Sequence, residues 1–152
     1  MMDYSKLINS INLLRKDTDP KWGRMNSSMM LKHCSAFIDV YLNKTKLNPL
    51  IFIVGFVFGI VHRLYLRHIV RYDVKNYIKN LPTLKVFNTY QFENIDFEYE
   101  KNKLISDLKE VKSINKRYLF NNFHGIVPNK AFKKVVYFHT SYHLYQFDVY
   151  KT

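Results

Sequence analysis

Apolar residues in this chain recur at intervals of three and four, and nowhere do they alternate with polar ones over the length of a strand. That periodicity restricts the fold to packed helices. The first stripe, Leu7, Ile8, Ile11 and Leu14, predicts a helix over residues 4–15 that stops by Asp19-Pro20. A short connector over 19–25 holds Pro20, Trp22 and Gly23, and any of Asn26, Ser27 or Ser28 can cap a second helix running to about Leu42. A third helical stretch begins after Asn48-Pro49 and runs, with a break, to about Asn80, because Pro82 disfavours helical geometry at Leu81. Residues 81–90 read as an irregular crossing. Over 92–114 the acidic residues come early and the lysines late, which suits the helix dipole, and Phe97, Leu104, Ile105, Leu108 and Val111 form an apolar side. Residues 115–128 read as a loop, and 130–148 as the last helix. Five helical segments predict an all-α fold, an antiparallel helix bundle.

At 152 residues, 47% of them hydrophobic, the chain has the material for one core, so residues 1–152 are read as a single domain. The lone cysteine, Cys34, rules out an intramolecular disulfide, and residues 1–15 lack the pattern of a cleavable signal peptide. A reducing cytoplasm is the expected address. The net charge of +12 would suit an anionic partner. The lysines are nevertheless spread along the chain, and abundant Lys, Asn, Ile and Tyr beside scarce Gly is the composition of AT-rich coding. No helix-turn-helix, ribbon or zinc-finger spacing accompanies the charge, so nucleic acid is not an expected partner.

The run LIFIVGFVFGIV, residues 50–61, is uncharged, but as a helix it extends only about 18 Å against the roughly 30 Å of bilayer hydrocarbon. It does not predict a membrane span. His62, Arg63, Arg67, His68 and Arg71 then alternate with Leu64, Leu66, Ile69 and Val70, which continues the run as an amphipathic core helix. A membrane-surface or homodimer face is the rival reading.

The sharpest chemical signal is His139-Thr140-Ser141-Tyr142-His143 in the last helix. Residues four apart on a helix share a face, so both imidazoles can reach one ion beside it. A bound zinc or similar ion wants at least three protein donors, and the best third candidate is His33, set among Leu31, Phe37, Ile38 and Tyr41. The competing reading of His33 is a core histidine satisfied by a tyrosine or a carbonyl. His62 and His68, among arginines, read as solvated, and His124 as a loop residue. Gln146, three residues after His143, is placed to hydrogen-bond a ligand histidine or an ion's water; the competing reading is a plain surface glutamine. Cys34 points about 100° away from His33 on the helix and reads as a packed thiol. Trp22 reads as a plug at the bundle end.

Taken together, Pro20-Lys21-Trp22-Gly23-Arg24-Met25, Met30-Leu31-Lys32-His33-Cys34, Leu81-Pro82-Thr83, Phe123-His124-Gly125 and the run from His139 through Leu144 and Gln146 to Phe147 resemble the DinB-like superfamily. The likeness spans nearly the whole length, and within the superfamily it is to the group catalogued as a domain of unknown function. The resemblance implies a four-helix bundle with an additional helix, in which one histidine of the second helix and two of the last hold a divalent metal; the matching positions are His33, His139 and His143. Zinc or nickel is the first expectation, iron or manganese the next. Related members include thiol-dependent transferases and isomerases in which the metal holds a thiol cofactor as thiolate, a sensible use of such an ion. The chain departs from the family pattern at Tyr142, where a histidine is usual, at Asn121-Asn122 in place of a His-Pro pair, at Pro128 in place of a Thr or Ser cap, and at Phe132 in place of tryptophan.

Two functional classes follow. One is a metal-dependent hydrolase or thiol-dependent transferase acting on a small-molecule substrate; the other is a non-catalytic structural or interaction protein whose apolar third helix meets a second copy or a membrane.

Overall fold

The structure is a computed structural model that describes residues 2–45, 49–121 and 125–152. Helix α1 spans Tyr4–Leu13, α2 Ser27–Tyr41, α3 Pro49–Tyr65, α4 Phe97–Ser113 and α5 Asn129–Gln146. The chain is mostly helical, 59% of it, as the periodicity predicts. It is not all-α, however. Strands β1 (Tyr118–Asn121) and β2 (Gly125–Pro128) pair antiparallel within the segment expected to be loop, with Leu119 opposite Val127 and Phe120 opposite Ile126. Each strand is four residues long, too short for alternation to register over a window, although Val127 is buried and Ile126 exposed as period two requires. The Asn43 amide donates to the Phe120 carbonyl and ties the hairpin to the end of α2. Asn122, Phe123 and His124, the latter expected in a loop, lie outside the described residues.

The helix ends follow local chemistry. Asp3, Asn26 and Asp96 cap α1, α2 and α4, each side chain accepting from backbone N–H groups of the first turn. Of the three candidates before α2, Asn26 is the cap, with Oδ1 2.9 Å from the Met29 nitrogen. The third helix ends far short of Asn80. After α3 the backbone widens into a π turn over Leu66–Val70, Arg71 and Tyr72 take the left-handed conformation, and a short 3-10 turn, Val74–Asn76, follows on an Asp73 cap. Tyr72 and Tyr77 then pack edge-on against Phe138 of α5, ring centres 5.8 and 5.3 Å away. Aromatic burial on a distant helix thus overrides a local pattern that would continue. Residues 81–90 are irregular apart from a 3-10 turn at Lys85–Phe87, as expected.

Helix α2 packs on α4 and α5, and α1 packs on the same two. Leu7, Ile11, Met30, Leu31, Ile38, Leu104, Leu108, Val136 and Leu144 fill the space between them with no exposed surface. Where α2 faces α4, Lys32 reaches the buried Glu100 at 2.8 Å, and Lys103 bridges Asp39 and Asp107 at 2.9 and 2.8 Å. These pairs fix the register of the two helices, because a buried carboxylate left unpaired is costly. Among the described residues no helix is long and apolar enough to cross a membrane. Replacing the cap in Asn26→Ala is expected to destabilise the fold by about 1 kcal/mol, read as a shift of the urea midpoint with unchanged slope. An unshifted midpoint would show that α2 starts independently of this cap.

Candidate metal centre

The pattern on α2 places His33, Phe37 and Tyr41 on one face, four residues apart, and the pattern on α5 places Phe132, Val136, His139 and His143 on one face at intervals of three and four. These two faces meet. Phe37 lies flat on His139, ring centres 3.9 Å apart and planes 9° from parallel, and Tyr41 packs on Phe132 at 5.7 Å. With that register set, the three histidines expected to form one site come together: their candidate ligand nitrogens all lie within 4.8 Å of one another. His33 and His143 are buried, and His139 is partly so.

Partner chemistry assigns the ring protons. The Phe87 carbonyl can only accept, so at 2.7 Å from His33 Nδ1 it demands the proton there. At His143, Nδ1 donates to Gln146 Oε1 at 2.9 Å; the amide of Gln146 is itself oriented because its Nε2 donates to the Trp22 carbonyl at 2.6 Å. Both bonds leave Nε2 as a lone pair on the neutral ring, the tautomer a metal requires. His33 Nε2 stands 3.2 Å from His139 Nε2, close to the roughly 3.3 Å that two imidazoles adopt on one tetrahedral zinc. A neutral His139 has a single ring proton, too few to serve two converging lone pairs, while its Nδ1 is buried without a partner. The donor set therefore fits a cation.

Electrostatics act in the same sense. Burial, the largest cause, holds His33 below the ordinary imidazole range, although its bond to Phe87 opposes this. It pushes His139 well below that range, aided by the charges that His143, His33 and His62 would carry. His143 is lowered to about 3, again by burial first and then by His33. All three rings are neutral near neutral pH, ready to give lone pairs.

Gln146 occupies the position expected of it, oriented between His143 and the connector. The two readings of His33 prove compatible, since one ring nitrogen meets a carbonyl and the other meets the cluster. Cys34 is a packed thiol, fully buried beside Met30 and pushed up by burial. Trp22 lies against Tyr142 and Tyr145, its indole N–H donating to the Tyr142 hydroxyl at 3.3 Å. His68 is exposed as expected, but His62 is not solvated: it is partly buried, bonded to the Tyr77 hydroxyl at 3.2 Å, and lowered to about 4 by burial and by Arg63. The turn of the chain after Val70 brings Tyr77 to it. Sequence reasoning missed the Phe87 and Trp22 carbonyls, because any residue type can present a backbone acceptor.

Gly23 explains the approach of the connector. Its φ of +87° is in the left-handed region, and a Cβ there would come within 2.8 Å of Gln146 Nε2. Comparison with protein-family models, curated proteins and solved structures finds no match to this chain.

Two outcomes are expected. The unfolded chain protonates its histidines near 6.5 while His143 resists down to about 3, so the unfolded state binds more protons in that window. The metal-free protein should lose thermal stability steadily as the pH falls from about 7 to 5, and His143→Gln should flatten the decline; an equally steep decline in the variant would exclude His143 as its source. Gly23→Ala should push Gln146 off His143 and scramble the imidazole tautomer, visible in the nitrogen shifts of the ring, and an unchanged Nδ1–H signal would count against the relay.

Proposed function

We propose that this protein binds one divalent metal ion through His33, His139 and His143, with Gln146 orienting His143 and the Phe87 carbonyl orienting His33. The observation that carries this reading is the convergence of three neutral imidazoles, two of them with fixed tautomers, on one point. The same placement, one histidine from the second helix and two from the last, supports the likeness to DinB-like four-helix bundles drawn from the sequence motifs. Three neutral nitrogen donors favour zinc or nickel, then iron or manganese.

The chemistry such an ion supplies is Lewis acidity toward a bound water or thiol. The reaction class we favour is accordingly hydrolysis or thiol-dependent transfer on a small molecule, with a thiol cofactor in the second case. The chain's own residues hold the site neutral, pack Phe37, Phe87 and Tyr142 against its rings, and orient the ligand rings. No carboxylate joins the histidine group among the described residues, so proton transfer there falls to the imidazoles or to the ligand.

One observation favours a second, non-catalytic reading. Phe56, Val57, Ile60, Val61 and Leu64 are exposed along one side of α3, an apolar stripe suited to a second copy or a membrane surface. Elemental analysis of untagged protein separates the two. About one metal per chain, retained after dialysis and lost in both His139→Ala and His143→Ala, is the expected result. No uptake by the wild type after reloading with zinc or nickel would favour the interaction reading.

A further inference from the structure

The cations of this chain are spread along it, but the carboxylates are not. Residues 40–72 hold five Lys or Arg and no Asp or Glu, and residues 111–147 hold six Lys or Arg and again no Asp or Glu. The first segment contains α3 and the second contains the hairpin. The same two elements expose apolar side chains. On α3, Phe56, Val57, Ile60, Val61 and Leu64 share one side of the helix, with Val57 and Val61 59% and 58% exposed. On the hairpin, Tyr118 and Phe120 of β1 and Ile126 of β2 face outward together; Phe120 and Ile126 are cross-strand partners, and Ile126 is 71% exposed.

The two surfaces adjoin. A Cβ on Gly125, the first residue of β2, would come within 2.6 Å of the Phe56 ring, so the hairpin lies directly against the helix. Cations stand at the margins. Arg67 and Arg71 are exposed in and just after the π turn that follows the stripe, and the Arg117 guanidinium lies 5.4 Å from the centre of the Tyr118 ring. Every carboxylate side chain of the protein falls within the described residues, and no ion pair joins any of them to Arg67, Arg71 or Arg117. A second copy seated on this face would set cations against cations, because a two-fold interface meets itself. A surface of acidic lipid answers both the charge and the apolar side chains. Among the described residues no helix is long and apolar enough to cross a membrane, so the stripe on α3 meets hydrocarbon only by lying in the plane of the surface, as interfacial helices do.

We infer that this protein binds the surface of an anionic lipid bilayer, laying α3 and the outer face of the hairpin into the headgroup region with Arg67, Arg71 and Arg117 on the lipid phosphates. The aliphatic side chains of α3 and Ile126 enter the acyl boundary, Tyr118 sits at headgroup level, and the guanidinium forks take phosphate oxygens. This assigns the exposed stripe to one partner and joins the hairpin and the cations to it, and it stands whether or not the histidines hold an ion.

The test is co-sedimentation with lipid vesicles, of phosphatidylcholine alone and of phosphatidylcholine mixed equally with phosphatidylglycerol. Wild type is compared with Val61→Asp and Ile126→Asp on the apolar face, with the triple variant Arg67→Gln, Arg71→Gln, Arg117→Gln at its margin, and with Leu13→Asp, an exposed apolar control on α1. A second triple variant, Lys16→Gln, Lys85→Gln, Lys109→Gln, removes exposed cations elsewhere and controls for the general pull of a +12 chain. The expected result is binding to the mixed vesicles, weaker by roughly 10-fold or more in both face variants and in the margin triple and little changed in the two controls. Binding should fall as salt rises from about 0.1 M to about 0.5 M. Both face side chains are exposed, so these variants should melt with the wild type. Binding reduced equally in the margin and control triples, or untouched by Val61→Asp and Ile126→Asp, overturns the face and leaves only a diffuse attraction between charges. Equal binding to both kinds of vesicle overturns the assignment to anionic lipid. No binding to either overturns the proposal, and a dimer in sedimentation equilibrium that Val61→Asp dissolves would then give the face to a second copy. Failure of both face variants to fold overturns it as well, because the chain would then need these side chains for itself. Vesicle binding by a protein that takes up no metal upholds the surface and sinks the metal centre; zinc uptake without vesicle binding does the reverse.

Discussion

The stack of Phe37 on His139 sets the register between α2 and α5, and the geometry of the histidine cluster follows from it. Four residues along a helix is close to one turn, so seating Phe37 on His139 brings His33, one turn away on α2, beside His139 and His143. A slip of either helix by one residue would rotate its site histidines by about 100° and out of the cluster. Two planar rings in van der Waals contact supply packing for that register, and the surrounding core holds it. The paired charges between α2 and α4 restrain the same helix from its other side.

A buried cluster of imidazoles needs support that the helices alone do not provide. Burial keeps the rings neutral, but a neutral imidazole has two tautomers, and only the bond at Nδ1 decides which nitrogen faces the cluster. The two backbone carbonyls that settle this come from irregular segments, Phe87 from the crossing before α4 and Trp22, through Gln146, from the connector before α2. The Lys21 amide also donates to the Gln146 carbonyl, 2.8 Å away, so the connector is anchored at the C-terminal end of α5 twice. The irregular segments are therefore part of the site's architecture, and the bare Cα of Gly23 is what lets one of them come close enough.

The last part of α3 and the turn that follows close the structure on the remaining side with His62, Arg63, Tyr72 and Tyr77. Aromatic rings and one unpaired guanidinium make this wall chemically different from the carboxylate-paired lysines between α2 and α4. Lysines paired with carboxylates hold helices together, whereas a buried cation without a counter-charge leaves its desolvation uncompensated.

Local chemistry was readable from the chain alone wherever it decides the outcome. Helical period, the cap at Asn26, the proline that begins α3, the dipole-matched charges of α4 and the i, i+4 pair His139 and His143 all act within a few residues, so the helices and two of the three site histidines could be named from them. His33 and Gln146 could be nominated because their faces follow from the same period. What needed the tertiary structure was every feature set by a partner far along the chain. The four-residue strands pair only with each other, the helix after α3 stops because Tyr72 and Tyr77 find Phe138, and His62 is buried because Tyr77 returns to it. The tautomers of His33 and His143 depend on backbone carbonyls, which carry no side-chain signature, and the unpaired state of Arg63 depends on where all twelve carboxylates go. A sequence states which groups are present; only the folded chain decides which of them meet.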